Sequence, residues 1–146
     1  MNETEKKEKL STSQEIVPAD WFLSLFVNLA NKTGLGFDIT IVTQGYLVCG
    51  KLISGKQYFE ETSAMFKDNP SEIAETLATS IESYGDKIYG EGGDKPVPPP
   101  SYIHLKEARF FNGQSKPLPA NRGVLWRGRL SEVSGFFIGI LNSETT

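Results

Sequence analysis

The sequence predicts one α+β domain: a small antiparallel β-sheet or barrel, led by a helix and interrupted by an inserted helical segment. Three observations predict it. Apolar residues alternate with period two at Phe37, Ile39 and Ile41 and again at Tyr46, Val48, Gly50 and Leu52, the spacing of half-buried strands. The period lengthens to that of a helix from Asn69 to Ile88. Strand-like runs return after Ser101.

The elements follow in order. Met1 to Glu15 alternates Glu3, Glu5 and Glu8 with Lys6, Lys7 and Lys9, and has too little apolar surface to offset the entropy of ordering, so residues 1–15 are expected to form a flexible tail. Residues 16–142 form the globular domain in this reading. A first helix is predicted from about Pro18 to Lys32, with Pro18 in its first turn, Asp20 at the positive end of the dipole and Gly34 as its stop. Trp21, Phe22, Leu23, Leu25, Phe26, Val27, Leu29 and Ala30 surround most of it, leaving a polar stripe of Asp20, Ser24, Asn28 and Asn31. A helix apolar on most sides needs cover on more than one side, from the core or from a partner.

Gln44-Gly45 then reads as a tight turn between two strands, the second of them long and bent at Gly50, with the strand segment running to Phe59. Residues 60–89 are the helical insertion: a short helix near Glu61 to Lys67, then a longer one capped by Asn69, with Pro70 in the first turn and Glu72 in capping-box register. Ile73, Ala74, Leu77, Ala78, Ile81, Tyr84 and Ile88 share its apolar face; Glu72, Glu75, Thr79, Glu82 and Asp86 lie opposite. The segment 90–101, GEGGDKPVPPPS, excludes regular structure and reads as a linker, stiff from Pro96 to Pro100. Three more strands are expected: from Tyr102 to Phe110, Val124 to Leu130 and Val133 to Leu141, with Ser134-Gly135 as a bulge.

Composition narrows the function. The chain has 146 residues, 38% hydrophobic and 23% charged, ordinary for a globular domain with a core of its own. A net charge of −3 argues against general nucleic-acid binding. The longest apolar stretch, Trp21 to Ala30, is about half the roughly 20 residues of a membrane span. Cys49 is the one cysteine, so neither an intrachain disulfide nor a thiolate metal site is expected, which fits a reducing, cytoplasmic setting.

No residue pattern points to catalysis. Gly90, Gly92 and Gly93 lack the lysine and helix that a phosphate loop needs. His104 is the one histidine, and Cys49 sits mid-strand among apolar neighbours, where free cysteine acts as a small hydrophobe. Glu60 and Glu61 are adjacent and suit a solvated helix start. The expectation is a protein that binds other proteins, with no catalytic residue, metal or cofactor. Its candidate partner-binding residues are Trp21, Phe22 and Phe26 on the first helix and Arg109, Arg122, Arg127 and Arg129 on the basic strands. Lys106 to Glu132 carries six basic residues and Glu60 to Asp94 carries nine acids. The acidic face at Glu72, Glu75 and Glu82 could therefore meet the basic strands of another copy.

Two segments resemble Sm-like barrels: DITIVTQGYLVCGKLISGKQYF, Asp38 to Phe59, and VLWRGRLSEVSGFFIG, Val124 to Gly139. The resemblance implies a five-stranded barrel closed by bent strands, with the helices as an insertion and Gly128 at a tight turn. It also offers an alternative function, RNA binding by the basic strands 102–130 with Tyr102, Phe110 and Trp126 as stacking platforms. Taken from Asp20 through LVCGKLISGKQYF, YIHLKEARFFN and LWRGRLSEVSGFFIG, the chain is similar to the GvpU family of gas vesicle accessory proteins. That likeness implies a minor, non-shell component that organises or clusters gas vesicles and contacts shell or other gas vesicle proteins and itself.

Overall fold

A computed structural model describes residues 18–90, 99–113 and 116–141. The expected tail at 1–15 and most of the linker at 90–101 lie outside these residues. Among the described residues three α-helices and five strands alternate as α1 (Trp21–Thr33), β1 (Asp38–Thr43), β2 (Tyr46–Ile53), α2 (Gly55–Lys67), α3 (Glu72–Tyr89), β3 (Tyr102–Phe111), β4 (Val124–Arg129) and β5 (Val133–Ile138). A 3-10 turn, Leu130–Glu132, joins the last two strands.

The strands form one antiparallel sheet in the order β4-β3-β2-β1-β5. The fold is thus α+β, as the sequence predicts. A closed barrel is not seen: β4 and β5 are the two edges, and the sheet is open. The edges are nevertheless joined by three residues. Four residue steps reach at most about 14 Å, whereas the outer strands of a flat five-stranded sheet stand about 19 Å apart. The sheet must therefore curl toward itself at the Arg129–Val133 end.

Turns and bulges follow local chemistry. Gln44 and Gly45 have φ of 49° and 81°, the pair of positive angles of a type I′ hairpin turn. The β1–β5 register skips Ser134, the expected bulge; the β2–β3 register shifts opposite Gly50, but the extra residue there belongs to β3 and not to β2, where the irregularity was expected. That extra residue is at Glu107, whose φ is 52°, and it shifts the β3–β4 register as well.

The core lies between α1 and one face of the sheet. Leu23, Val27 and Ala30 pack on Ile39, Ile41, Val48, Leu52, Ile103, Leu105 and Leu130, all buried. Burying each of the larger side chains contributes about 1.5–3 kcal/mol. Helix α1 starts later than predicted: Pro18 stays outside, and Asp20 is the cap, its carboxylate accepting from the Phe22 amide at 2.8 Å. Gly34 ends the helix as expected, with φ of 72°.

The largest departure is after Ile53. The strand stops there, and the stretch to Phe59 is already helical, because the Ser54 hydroxyl accepts from the Gln57 amide at 3.0 Å and caps α2. Helix α3 likewise begins after Ser71, while Asn69 accepts from the Ser71 amide in the turn before it. The two helices form a hairpin that meets the sheet mainly through α2. On α3 the buried residues are Ala74, Ala78 and Gly85, not the whole apolar face. A Cβ at Gly85 would come within 2.7 Å of the Phe59 side chain, so small residues set the helix separation here. Ile73, Leu77, Tyr84 and Ile88, on the apolar face that the sequence marks, are exposed.

Candidate interaction surfaces

Helix α1 carries the first surface. The core takes Leu23, Val27 and Ala30, which lie on one side of the cylinder. The polar stripe also finds uses: Asn31 accepts from the Gly55 amide at 2.9 Å, tying α1 to the start of α2. Opposite, Trp21, Leu25 and Leu29 follow one another at i, i+4 and i+8 on the exposed side, with Phe22 beside them. Trp21 is 78% exposed. Phe22 leans on Phe26, with ring centres 5.0 Å apart, and on Phe136 of β5 at 5.8 Å. Phe26 is half-buried against Phe37. Of the three aromatic candidates on this helix, then, Trp21 and Phe22 are available at the surface and Phe26 props them from below. Leu25 and Leu29 join them; their four-residue spacing was visible in the sequence, but nothing there told which sector the core would take.

The second surface is a cleft of about 540 Å³ at the curled end of the sheet. Tyr46, Tyr102, Phe110, Trp126, Arg127 and Arg129 help to line it. Its rim is fixed by Glu132, whose carboxylate accepts from the Gln44 side-chain amide at 3.1 Å and whose carbonyl accepts from the Thr43 hydroxyl at 3.0 Å. Trp126 leans on Phe110 with ring centres 6.3 Å apart. Gly128 does not make a turn, as its sequence context suggests. It pairs with Ile103 inside β4, and a side chain there would collide with the Trp126 ring.

The basic candidates do not form one patch. The Arg127 guanidinium lies over Tyr102 and Phe59. Arg129 is exposed, 3.9 Å from Glu132. Arg109 is half-buried in a separate shallow pocket with Asp38 and Glu107. Arg122 is exposed in the loop before β4. On the acidic side, Glu72 and Glu75 are exposed in the first turn of α3, and Glu82 pairs with Lys67 at 3.0 Å.

Beneath the helical hairpin lies His104, 1% exposed. Tyr58, Phe59 and Tyr89 surround it, the Tyr58 ring centre 4.7 Å away. Burial, with Arg127 adding to it, lowers its pKa from 6.5 to about 3. The ring is neutral, and its Nε2 has no hydrogen-bond partner among the described residues. Burial also raises the Tyr89 hydroxyl above its usual pKa. Cys49 is buried farther along the same face of the sheet, the one away from α1, 3.2 Å from the Thr40 hydroxyl. Thr40 gives its own proton to the Gly139 carbonyl at 2.8 Å, so the thiol is the donor to Thr40. Cys49 and His104 are not brought together. Among the described residues no three His, Cys, Asp or Glu side chains are placed to hold a metal ion, and no helix is long and apolar enough to cross a membrane.

Fold and surfaces define a small α+β domain that leaves two apolar helix faces and an arginine–aromatic cleft open. The chain belongs to the GvpU-like family of gas vesicle proteins: the family described as gas vesicle protein GvpU-like matches residues 20–141, from the cap of α1 to the last described residue. No curated protein and no solved structure matches the chain.

Proposed function

We propose that this protein is a minor, non-shell accessory component that attaches to gas vesicles in the cytoplasm and gathers them by self-association. Its family supports the setting. The observation that carries the attachment is the row Trp21, Leu25 and Leu29 with Phe22 alongside, left exposed on a helix whose other side is already in the core. Tryptophan is among the residues that most often anchor protein interfaces, and the neighbouring leucines extend the apolar area around Trp21. The occupant in this reading is a shell protein or another gas vesicle protein. Self-association draws on the acidic sector of α3, at Glu72, Glu75 and Glu82, facing the arginine-bearing strands of another copy. The reading assigns no catalytic residue and no cofactor.

Flotation with purified vesicles tests attachment. The protein should rise with the vesicles, and Trp21→Ser combined with Leu25→Ser should leave it in the liquid below while its fold is unchanged. Wild-type protein that stays below the vesicles would refute the reading.

One observation favours a second reading. Tyr102, Phe110 and Trp126 line the same cleft as Arg127 and Arg129, an arrangement that suits stacked bases and phosphates. Saturable binding of mixed cellular RNA at moderate salt in a gel-shift assay would favour RNA binding over vesicle attachment.

A further inference from the structure

Resting on the self-association in that reading, we propose that α3 is an isologous interface: two copies pair their α3 helices antiparallel about a two-fold axis near Ser80 and Ile81. Helix α3 is apolar over a wider sector than the protein covers. Its small residues Ala74, Ala78 and Gly85 face α2. Beside them run Ile73, Leu77, Tyr84 and Ile88, exposed by 81%, 42%, 55% and 62%. At 100° per residue these four fall within about 60° of one another, a seam of coiled-coil width.

The seam reads the same in both directions. Ile73 stands four residues before Leu77, and Tyr84 four before Ile88. A second copy turned by a two-fold axis places Ile73 against Ile88 and Leu77 against Tyr84, at both ends alike. An isologous interface demands this self-complementarity of a single surface. A partner of unrelated sequence would not require it.

Charge permits the approach. Glu72, Glu75, Glu82 and Asp86 lie on the far side of the helix, about 130° or more from the centre of the seam. Ser80, half-buried, with its hydroxyl bonded back to the Thr76 carbonyl at 3.0 Å, leaves a small, satisfied residue near the axis. No acid of one copy is thereby forced against an acid of the other.

Area sets the strength. The four seam residues offer on the order of 400–500 Å² per copy, so a pair buries roughly 1,000 Å² with its flanks, the lower bound for a specific interface. The dimer is therefore reversible and concentration-dependent. It would present two α1 faces from one particle, which is what joining two vesicles requires.

Sedimentation velocity of the full chain over a concentration series, without vesicles, reads the dimer directly. Wild type should pass from monomer to dimer and stop there when salt is high enough to silence charge contacts. Ile73→Glu and Leu77→Glu sit at exposed positions and should weaken dimerisation at least tenfold with the monomer's fold intact, whereas Leu25→Glu on α1 should leave it unchanged. Ser80→Cys should cross-link between copies on mild oxidation and Glu75→Cys should not. A chain that stays monomeric, a dimer indifferent to Leu77→Glu, or cross-linking through position 75 and not 80 would each overturn the α3 interface. Flotation of the Ile73→Glu protein separates the two readings: attachment without vesicle bridging keeps the α1 surface and isolates the dimer.

Discussion

The guanidinium carbon of Arg127 stands 3.8 Å from the centre of the Tyr102 ring, reached across the β3–β4 pair. The Phe59 ring of α2 lies 5.3 Å from the same carbon. A cation held by two rings is a packing element as much as a surface charge. Arg127→Glu should therefore lower stability by about 1–2 kcal/mol, a desolvated cation–π contact together with lost stem packing. Arg129→Glu, at an exposed position, should change it by less than about 0.5 kcal/mol. Urea unfolding of the two variants side by side checks the difference. Equal losses would show that Arg127 contributes only its charge.

Assembly through opposite charges should weaken as salt rises, since exposed ion pairs are worth about 0.2–1 kcal/mol each and are screened beyond roughly 8 Å at physiological ionic strength. Arg129 and Arg122 are the exposed arginines within reach of another copy's Glu72 and Glu75. Replacing both with glutamate should remove the salt-sensitive part of light scattering while the salt-resistant part remains. Scattering that keeps its salt dependence in that variant would exclude these charges.

Trp126 occupies the space above Gly128. Gly128→Ala should displace the ring and cost about 1–3 kcal/mol, the range for overpacking. Trp126 fluorescence should move to longer wavelength as the ring is pushed toward water. Gly135→Ala is the control, because a Cβ there meets nothing within 4 Å. If Gly128→Ala is as neutral as that control, the cleft wall is softer than its packing implies.

Stability should fall on mild acidification because of His104. Its pKa is about 3 in the folded chain against 6.5 for the free side chain. Between those values the unfolded chain holds the extra proton, so unfolding is favoured increasingly as pH drops below 6.5, by at most about 1.4 kcal/mol per pH unit. Above that pH the contribution is fully present. From pH 7 to 5 the loss should be about 2 kcal/mol, followed as the urea midpoint, and His104→Leu should flatten the profile. A profile unchanged by that substitution would assign the acid sensitivity elsewhere.

Much of the sheet was legible in the sequence. Gln44-Gly45 and Ser134-Gly135 each marked a turn or bulge, because backbone punctuation is local chemistry, whereas Gly50 lies opposite a bulge that belongs to β3. The start of α2 had a readable signal that was passed over: Ser54 and Gln57 stand in capping-box register. The exposed faces were harder to foresee. Periodicity marks residues as apolar but does not say how wide the neighbouring element is, and α2 is wide enough for Ala74, Ala78 and Gly85 only. In the same way Trp21, Phe22 and Phe26 were named together, and only the position of the core separated the two exposed rings from the supporting one. The four arginines looked like one basic region because they are near in sequence, yet strand alternation and the loop scatter them.

The place where the helices leave the sheet has a kinetic consequence. Ile53 at the end of β2 pairs with His104 near the start of β3, so the whole helical hairpin departs and returns at adjacent points. Strands β1 and β2 can zip from a two-residue turn on the microsecond scale of hairpins, about 1–10 μs. Joining β2 to β3 means closing a loop of about 50 residues first, a long-range step whose entropy must be met before any contact rewards it. Pairing of α2 with α3 ahead of that step would shorten the loop, so mutations that loosen the helical hairpin are expected to slow the joining of β2 to β3.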